Sequence, residues 1–177
     1  IRATTRGNGV VGEDVTSQVL TIKTFPLTIP YKGIAEIQGE AVIKLSTLKK
    51  YNETAVEPLK NARNGVAGAI RNLDPKVTAS RNLDVIFYNV NYIEGKQILS
   101  QKDNISFLRD NGFKTETLFC SKDMNEIISA IGRVDRQSLD YLIDGMVIKI
   151  DSVLMRERLG YTDKFPRWAM AYKFEAE

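Results

Sequence analysis

Two stretches decide the fold: Asp144-Gly145-Met146-Val147-Ile148-Lys149 at residues 144–149, and Arg167-Trp168-Ala169-Met170-Ala171-Tyr172-Lys173-Phe174 at residues 167–174. Side chains alternate across a strand, so Gly145, Val147 and Lys149 share one face of the first stretch. On the second, Trp168, Met170, Tyr172 and Phe174 share one face, and Arg167, Ala169, Ala171 and Lys173 share the other. Each strand sets a cation beside residues small enough to admit a ligand, a floor suited to a flat anion such as a nucleotide. For either strand alone the simpler reading is a half-buried strand whose lysine reaches solvent past a thin edge. Two such strands close together in the chain shift the balance toward a site.

Helices and strands are interspersed on either side of this pair. Arg2–Thr5 reads as a strand entering the turn Arg6-Gly7-Asn8-Gly9, and Gly12-Glu13-Asp14 opens a short helix through Val15, Val19 and Leu20. Ile34–Ile43 reads as a strand with Glu36, Gln38, Glu40 and Val42 on one face, which fits either solvent exposure or a polar cleft. Ser46 is expected to cap a helix carrying Leu48, Tyr51 and Ala55. Arg63–Leu73 reads as a helix stopped by Asp74-Pro75, and Leu83–Tyr92 as a strand closed by a turn at Glu94-Gly95. Ser100–Asn111 reads as a helix ended by Asn111-Gly112. Ser121 is expected to cap another, with Met124, Ile127, Ile128 and Ile131 as its apolar stripe. A short helix from Ser152 to Leu159, followed by Gly160, separates the lysine strands. The absence of a regular βαβ rhythm predicts an α+β fold with mostly antiparallel strands.

The chain has 177 residues, 43% hydrophobic and 27% charged, enough to bury a core and without a disorder signature. No apolar run approaches the length of a membrane span, and Ile1-Arg2-Ala3-Thr4-Thr5 does not read as a signal peptide. The lone Cys120 excludes an intrachain disulfide or a multi-cysteine zinc site within these residues and suits a reducing cytoplasm; it is expected in the core. Histidine is absent, which removes the commonest general base and metal ligand. What remains is lysine, arginine and carboxylates, the kit of phosphate and nucleotide handling. A net charge of +3 permits nucleic-acid binding without demanding it. The Met and aromatic stripes are expected in the core.

The glycine-rich turn 5–12 has neither Walker nor dinucleotide-fingerprint spacing, and alone reads as a hairpin turn. The helix around Arg63 contains Gly65 and Gly68, each costing roughly 1 kcal/mol relative to alanine. Arg63 and Arg71 lie two turns apart and project from nearly one face, as suits either phosphate contact or a solvated surface.

Together these segments resemble the adenylation (nucleotidyltransferase) domain of bacterial NAD-dependent DNA ligases. The resemblance is collinear: Thr5-Arg6-Gly7, Gly12-Glu13-Asp14-Val15-Thr16, Glu36-Ile37-Gln38-Gly39-Glu40, Arg63-Asn64, Ala67-Gly68, Arg71 and Leu73-Asp74-Pro75. It continues with Ile143-Asp144-Gly145, Val147-Ile148-Lys149, Pro166-Arg167-Trp168-Ala169, Ala171 and Lys173-Phe174. It implies an ATP-grasp-like nucleotidyltransferase fold, truncated at its N-terminal side, in an enzyme that seals nicks in duplex DNA through lysyl-AMP and DNA-adenylate. NAD would be the AMP donor and Mg²⁺ a cofactor, with no metal ligated by this chain. It implies that Glu40 contacts the adenosine ribose, that Arg6 belongs to the nucleotide site, and that Lys149 and Lys173 flank the adenylate. Asp144 would be a water-mediated Mg²⁺ contact, and Arg63, Arg71 and Arg136 would serve DNA or the reaction centre.

The departures set further expectations. The family nucleophile lies in a Lys-x-Asp-Gly motif upstream of Thr5-Arg6-Gly7, and the single Asp-Gly, at Asp144, has Leu142 two positions before it. Residues 1–177 are therefore expected to be a fragment that cannot self-adenylate. The OB, zinc, helix-hairpin-helix and BRCT regions would lie elsewhere in the parent. Gln38 stands where the family usually has arginine, Asn8 where it has aspartate, and Gly65-Val66 where it has alanines. These motivate an alternative, a non-catalytic nucleotide- or DNA-binding module derived from a ligase. An RNA ligase is a third reading, and the arginine helix argues against it.

Overall fold

The computed structural model describes residues 1–175. It is mixed, with seven α-helices and two small two-stranded sheets among the described residues. Its strands are β1 (Ala35–Val42), β2 (Asp84–Ile93), β3 (Gly145–Lys149) and β4 (Ala169–Lys173). Its helices are α1 (Thr16–Val19), α2 (Leu45–Thr54), α3 (Ala62–Ile70), α4 (Pro75–Ser80), α5 (Gln101–Asp110), α6 (Met124–Gly132) and α7 (Val153–Leu159). β1 pairs with β2, and β3 pairs with β4 in antiparallel fashion. The α+β expectation holds at this level. Contacts divide the chain into two units, Ile1–Ile29 with Gly39–Ile86, and Pro30–Gln38 with Phe87–Glu177.

In the first unit Val15, Ile22, Ile43, Ala62, Ala69, Leu83, Val85 and Ile86 are buried. α3 begins at Asn61, whose side chain accepts from the backbone N–H of Arg63 and Asn64 at 2.8 and 3.2 Å. That satisfies two of the donors a helix start leaves unpaired. Gln18 donates to the Asn72 carbonyl at 2.7 Å and so ties α1 to the loop after α3. The fully buried Thr78 on α4 gives its hydroxyl to the Ala69 carbonyl on α3 at 2.9 Å, which offsets the cost of a buried polar group.

In the second unit Phe87, Ile105, Phe107, Leu108, Phe113 and Ile131 are buried, with Phe87 and Phe113 packed edge-on at 4.8 Å. The Ser100 hydroxyl caps α5 by accepting from Asp103 N–H at 3.0 Å. Asn111 and Gly112, at φ +79°, end that helix as the sequence predicts. Buried Asn111 also accepts from Tyr31 N–H and donates to the Phe107 carbonyl, each at 2.9 Å, and so pins the segment before β1 to α5.

Several local expectations give way. α3 ends at Ile70, short of the expected Leu73, and Asp74-Pro75 begins the next helix instead: Asp74 caps α4 through Lys76 N–H at 2.9 Å, with Pro75 at the first helical position, where its missing N–H costs nothing. Ser46 does not cap α2, because buried Ile43 and Lys44, the latter paired with Asp84 at 3.8 Å, carry the backbone straight into a helix starting at Leu45. Ser121 does not cap α6. Asp123 does, accepting from Asn125 N–H at 2.8 Å, while the Ser121 hydroxyl accepts from Asp123 N–H. Arg2–Thr5 forms no full strand, only a bridge between Thr4 and Asp14.

Cys120 is exposed rather than in the core, on the irregular segment before α6. The α6 stripe is split: Ile131 is buried, while Met124 and Ile128 are 57% and 59% exposed. Met170 and Tyr172 are likewise exposed, so the Met and aromatic stripes are not uniformly core.

Candidate functional site

The antiparallel register of β3 and β4 sets Gly145 opposite Lys173, Val147 opposite Ala171 and Lys149 opposite Ala169. Directly opposed residues share a face, so both lysines project from the same side of one small sheet. They stand at its opposite ends, four residues apart along a strand, or about 13 Å. Between them lie only Val147, Ala169, Ala171 and Gly145. Backbone bonds from Ile150 N–H to the Trp168 carbonyl and from Phe174 N–H to the Asp144 carbonyl, both 2.9 Å, extend the pairing one step past each end.

The two lysines differ in surroundings. Lys173 is exposed. Lys149 is half-buried, its ammonium 5.4 Å from the centre of the Tyr88 ring, and among the described residues no carboxylate pairs with it. Burial, seconded by the positive charge of Arg156, holds its pKa below the ordinary lysine value. Neither Tyr88 nor Arg156 is visible as a site residue in sequence. Tyr88 reads as one of several strand aromatics, and Arg156 as one of two arginines on α7.

Asp144 and Arg136 sit at the Lys173 end. Asp144 is exposed immediately before β3. Arg136 opens a short 3₁₀ turn, Arg136–Ser138, and lies 5.2 Å over the ring of Phe174, with Nη1 donating to the Glu175 carbonyl at 3.2 Å. Phe174 follows Lys173 and packs edge-on against Tyr172, so Arg136 addresses the face opposite the lysines.

Arg6, Glu40, Arg63 and Arg71 belong to the first unit. Arg6 lies at the tip of a loop closed by the Thr4–Asp14 bridge: Thr5 N–H bonds to the Glu13 carbonyl and Val15 N–H to the Ala3 carbonyl, both at 2.9 Å. Asn8 stabilises the tip by accepting from Val10 and Val11 N–H at 3.0 and 2.8 Å through its side-chain oxygen. Asp14 accepts from Thr16 N–H at 2.9 Å, and these Thr16 hydrogen bonds hold its carboxyl below the ordinary aspartate value. Glu40 is exposed on β1, and among the described residues its carboxylate makes no hydrogen bond or ion pair.

α3 presents Arg63, Asn64, Ala67 and Gly68 to solvent, with Arg71 at its C-terminal cap. A side chain added at Gly68 would meet nothing within 4 Å, whereas one at Gly65 would come within 2.9 Å of Leu59. The two helix glycines thus have different reasons: Gly65 fits under Leu59, and Gly68 leaves an open cationic surface smooth. Arg71 reaches Glu13 on the Arg6 loop at 3.5 Å, an exposed pair of the kind that contributes little to stability.

Among the described residues no three His, Cys, Asp or Glu side chains gather to hold a metal ion. No helix among them is long and apolar enough to cross a membrane.

The whole chain, residues 1–177, matches the family model for the NAD-dependent DNA ligase adenylation domain. It is 51% identical to a protein named DNA ligase from Alkaliphilus oremlandii (strain OhILAs) and 51% identical to one of the same name from Finegoldia magna. It is 49% identical to DNA ligase 2 of Clostridium acetobutylicum. Each alignment covers 100% of this chain and 27% of the relative, so the chain spans about a quarter of the length of these curated relatives. The chain belongs to the NAD-dependent DNA ligase adenylation-domain family.

Proposed function

We propose that this family member is the nucleotide-handling part of a DNA ligase that seals 5′-phosphate/3′-hydroxyl nicks in duplex DNA. The observation that carries the reading is the lysine face of β3 and β4, two cations on one side of a sheet floored by Gly145, Val147, Ala169 and Ala171. A floor of that kind admits a planar base or sugar close to the backbone, and the lysines offer fixed positive charge to phosphoryl oxygens. Its match to the family supplies the chemistry. A lysine amine attacks the α-phosphorus of NAD, and the phosphorus–oxygen bond to nicotinamide mononucleotide breaks. The adenylyl group then passes to the 5′-phosphate of the nick, and the 3′-hydroxyl displaces AMP. Negative charge builds on phosphoryl oxygens in every step, so cations placed in advance are the sensible catalysts.

In this reading Lys149 and Lys173 steady the adenylate, Glu40 accepts from its ribose, and Arg6 adds a cationic contact. Arg63 and Arg71 hold DNA phosphates, with Arg136 a further basic contact. The attacking lysine lies outside residues 1–177, which contain no Lys-x-Asp-Gly, and the OB, zinc, helix-hairpin-helix and BRCT regions belong to the rest of the parent, a cytoplasmic enzyme. Mg²⁺ would neutralise phosphate charge. The donor set here, exposed Asp144 with no cluster of three ligands among the described residues, suits a cation carried in on phosphates with its water shell rather than one caged by protein.

The Asn8 departure does not favour a non-catalytic module. The side-chain oxygen that holds the turn is one that asparagine and aspartate share.

Intact-mass measurement tests the reading. Full-length protein incubated with NAD and Mg²⁺ should gain one AMP and seal a nicked duplex, and residues 1–177 alone should gain none. Lys149→Ala and Lys173→Ala should each slow adenylation of the full-length protein at least tenfold. A full-length protein that binds NAD without ever acquiring AMP would instead establish the module reading.

A further inference from the structure

Arg156 is a buried cation that the chemistry above leaves unused. It lies on α7 at 8% exposure, and its hydrogen-bond and ring partners are neutral. Nε donates to the carbonyl of Ile150 at 2.5 Å, Nη2 donates to Oε1 of Gln101 at 3.1 Å, and the guanidinium lies 4.8 Å over the Trp168 ring. Among the described residues no carboxylate forms an ion pair with it. Gln101 uses its other end to donate from Nε2 to the carbonyl of Tyr88 at 3.1 Å. Tyr88 is the residue whose ring carries the Lys149 ammonium.

The simplest account is a staple that fixes α7 against the sheet. Two features exceed it. First, both acceptor paths converge on Lys149: Ile150 is the next residue along the chain, just past the last β3–β4 pair, and Gln101 anchors the backbone of the ring beneath the ammonium. Second, a staple would serve as well with a neutral group, whereas a buried guanidinium near a half-buried ammonium is costly to assemble, and the exposed Asp151 carboxylate, close enough to attract it but forming no ion pair, offsets only part of that cost. Two desolvated cations held next to each other make sense where an anion is the expected third party.

We propose that Arg156 is a positioning residue for Lys149, fixing the ammonium through the Ile150 carbonyl and the Gln101–Tyr88 link so that nucleotide phosphate meets a cation already in place. The proposal rests on the reading that Lys149 contacts the adenylate. Positioning of this kind acts on rate, because a cation that must first be localised stabilises developing charge less. The lowered pKa of Lys149, to which the Arg156 charge contributes, agrees with this closeness.

The test is a double-mutant cycle in the full-length natural protein, read as the single-turnover rate of self-adenylation at saturating NAD by intact mass. Arg156→Met should lower the rate at least tenfold when Lys149 is present and less than twofold when Lys149 is already alanine. Arg156→Lys keeps the charge but cannot span Ile150 and Gln101 together, so it should show most of the same loss. Equal losses from Arg156→Met in the two backgrounds, or full rescue by Arg156→Lys, would overturn the proposal. If Lys149→Ala alone changes neither the rate nor the half-saturating NAD concentration, the adenylate reading of Lys149 itself fails, an outcome distinct from additivity. Should Arg156→Met not fold, Tyr88→Leu, at a residue 36% exposed, replaces it in the cycle. Coupling of Tyr88 to Lys149 supports the proposal and additivity overturns it.

Discussion

A Cβ atom on Gly145 would stand 2.2 Å from the carbonyl oxygen of Tyr172, on the strand opposite. No side chain fits there without parting β3 from β4, and the obstruction is backbone, which cannot swing aside. Gly145→Ala is expected to destabilise the chain by roughly 1–3 kcal/mol, the usual cost of overpacking. Thermal denaturation of the variant checks this, and an unchanged midpoint would show that the strands can part without penalty.

α3 depends on a single side chain at its start. Asn61 accepts from two backbone donors there, and alanine would leave both to water. Asn61→Ala should cost about 1 kcal/mol. Urea unfolding measures it. Asn61→Asp, which keeps the acceptor, should stay near the parent.

Lys149 makes stability depend on pH in a definite direction. Its folded pKa lies below the ordinary value of 10.5, so the folded chain binds this proton less tightly than the unfolded chain. The destabilising contribution is fully present below the folded pKa and fades as pH rises from there to 10.5. Lys149→Met is therefore expected to be more stable than the parent at pH 7, with a gap that narrows toward pH 10.5. Denaturant titrations across that range decide the matter, since a gap constant with pH contradicts the desolvated position of the ammonium.

The open face of α3 should read out as salt dependence. If Arg63 and Arg71 each neutralise one DNA phosphate, replacing either with glutamine lowers the slope of log affinity against log salt by about one. The exposed Glu13 pair costs Arg71 little to leave. Binding of full-length protein to nicked duplex, titrated at several salt concentrations, gives the slopes. Unaltered slopes in both variants would assign α3 to solvent.

Alternation located β1 and the lysine strands, because a period of two over five or more residues has few competing explanations, whereas β2 opens on the buried run 84–87 with no such alternation. Ser100 and Ser152, read in sequence only as the first residues of their helices, are in fact the caps. Asp74-Pro75 was ambiguous in a physical sense: the pair that bars a helix from continuing is the pair that begins one well. The Ser46 and Ser121 caps failed for different reasons: Lys44, anchored on Asp84 from a distant part of the chain, sets the start of α2, whereas Asp123, a local competitor nearer the helix, caps α6 itself. In the candidate site, the shared face of Lys149 and Lys173 follows from strand period once the register is known. The Arg156–Gln101–Tyr88 link does not, since Arg156 and Gln101 lie 55 residues apart and only the folded chain brings them together.

The lysine face has unequal ends. At the Lys173 end the charge stands in water, on a flexible stem, where dissolved salt damps its reach to a Debye length of about 8 Å. At the Lys149 end the charge rests on an aromatic ring with less water about it, where its field is damped far less. An anion lying along β3 and β4 therefore meets an adjustable partner at one end and an unyielding one at the other. The gradient gives the sheet a heading, and a nucleotide laid the wrong way round would set its least charged part against the strongest field.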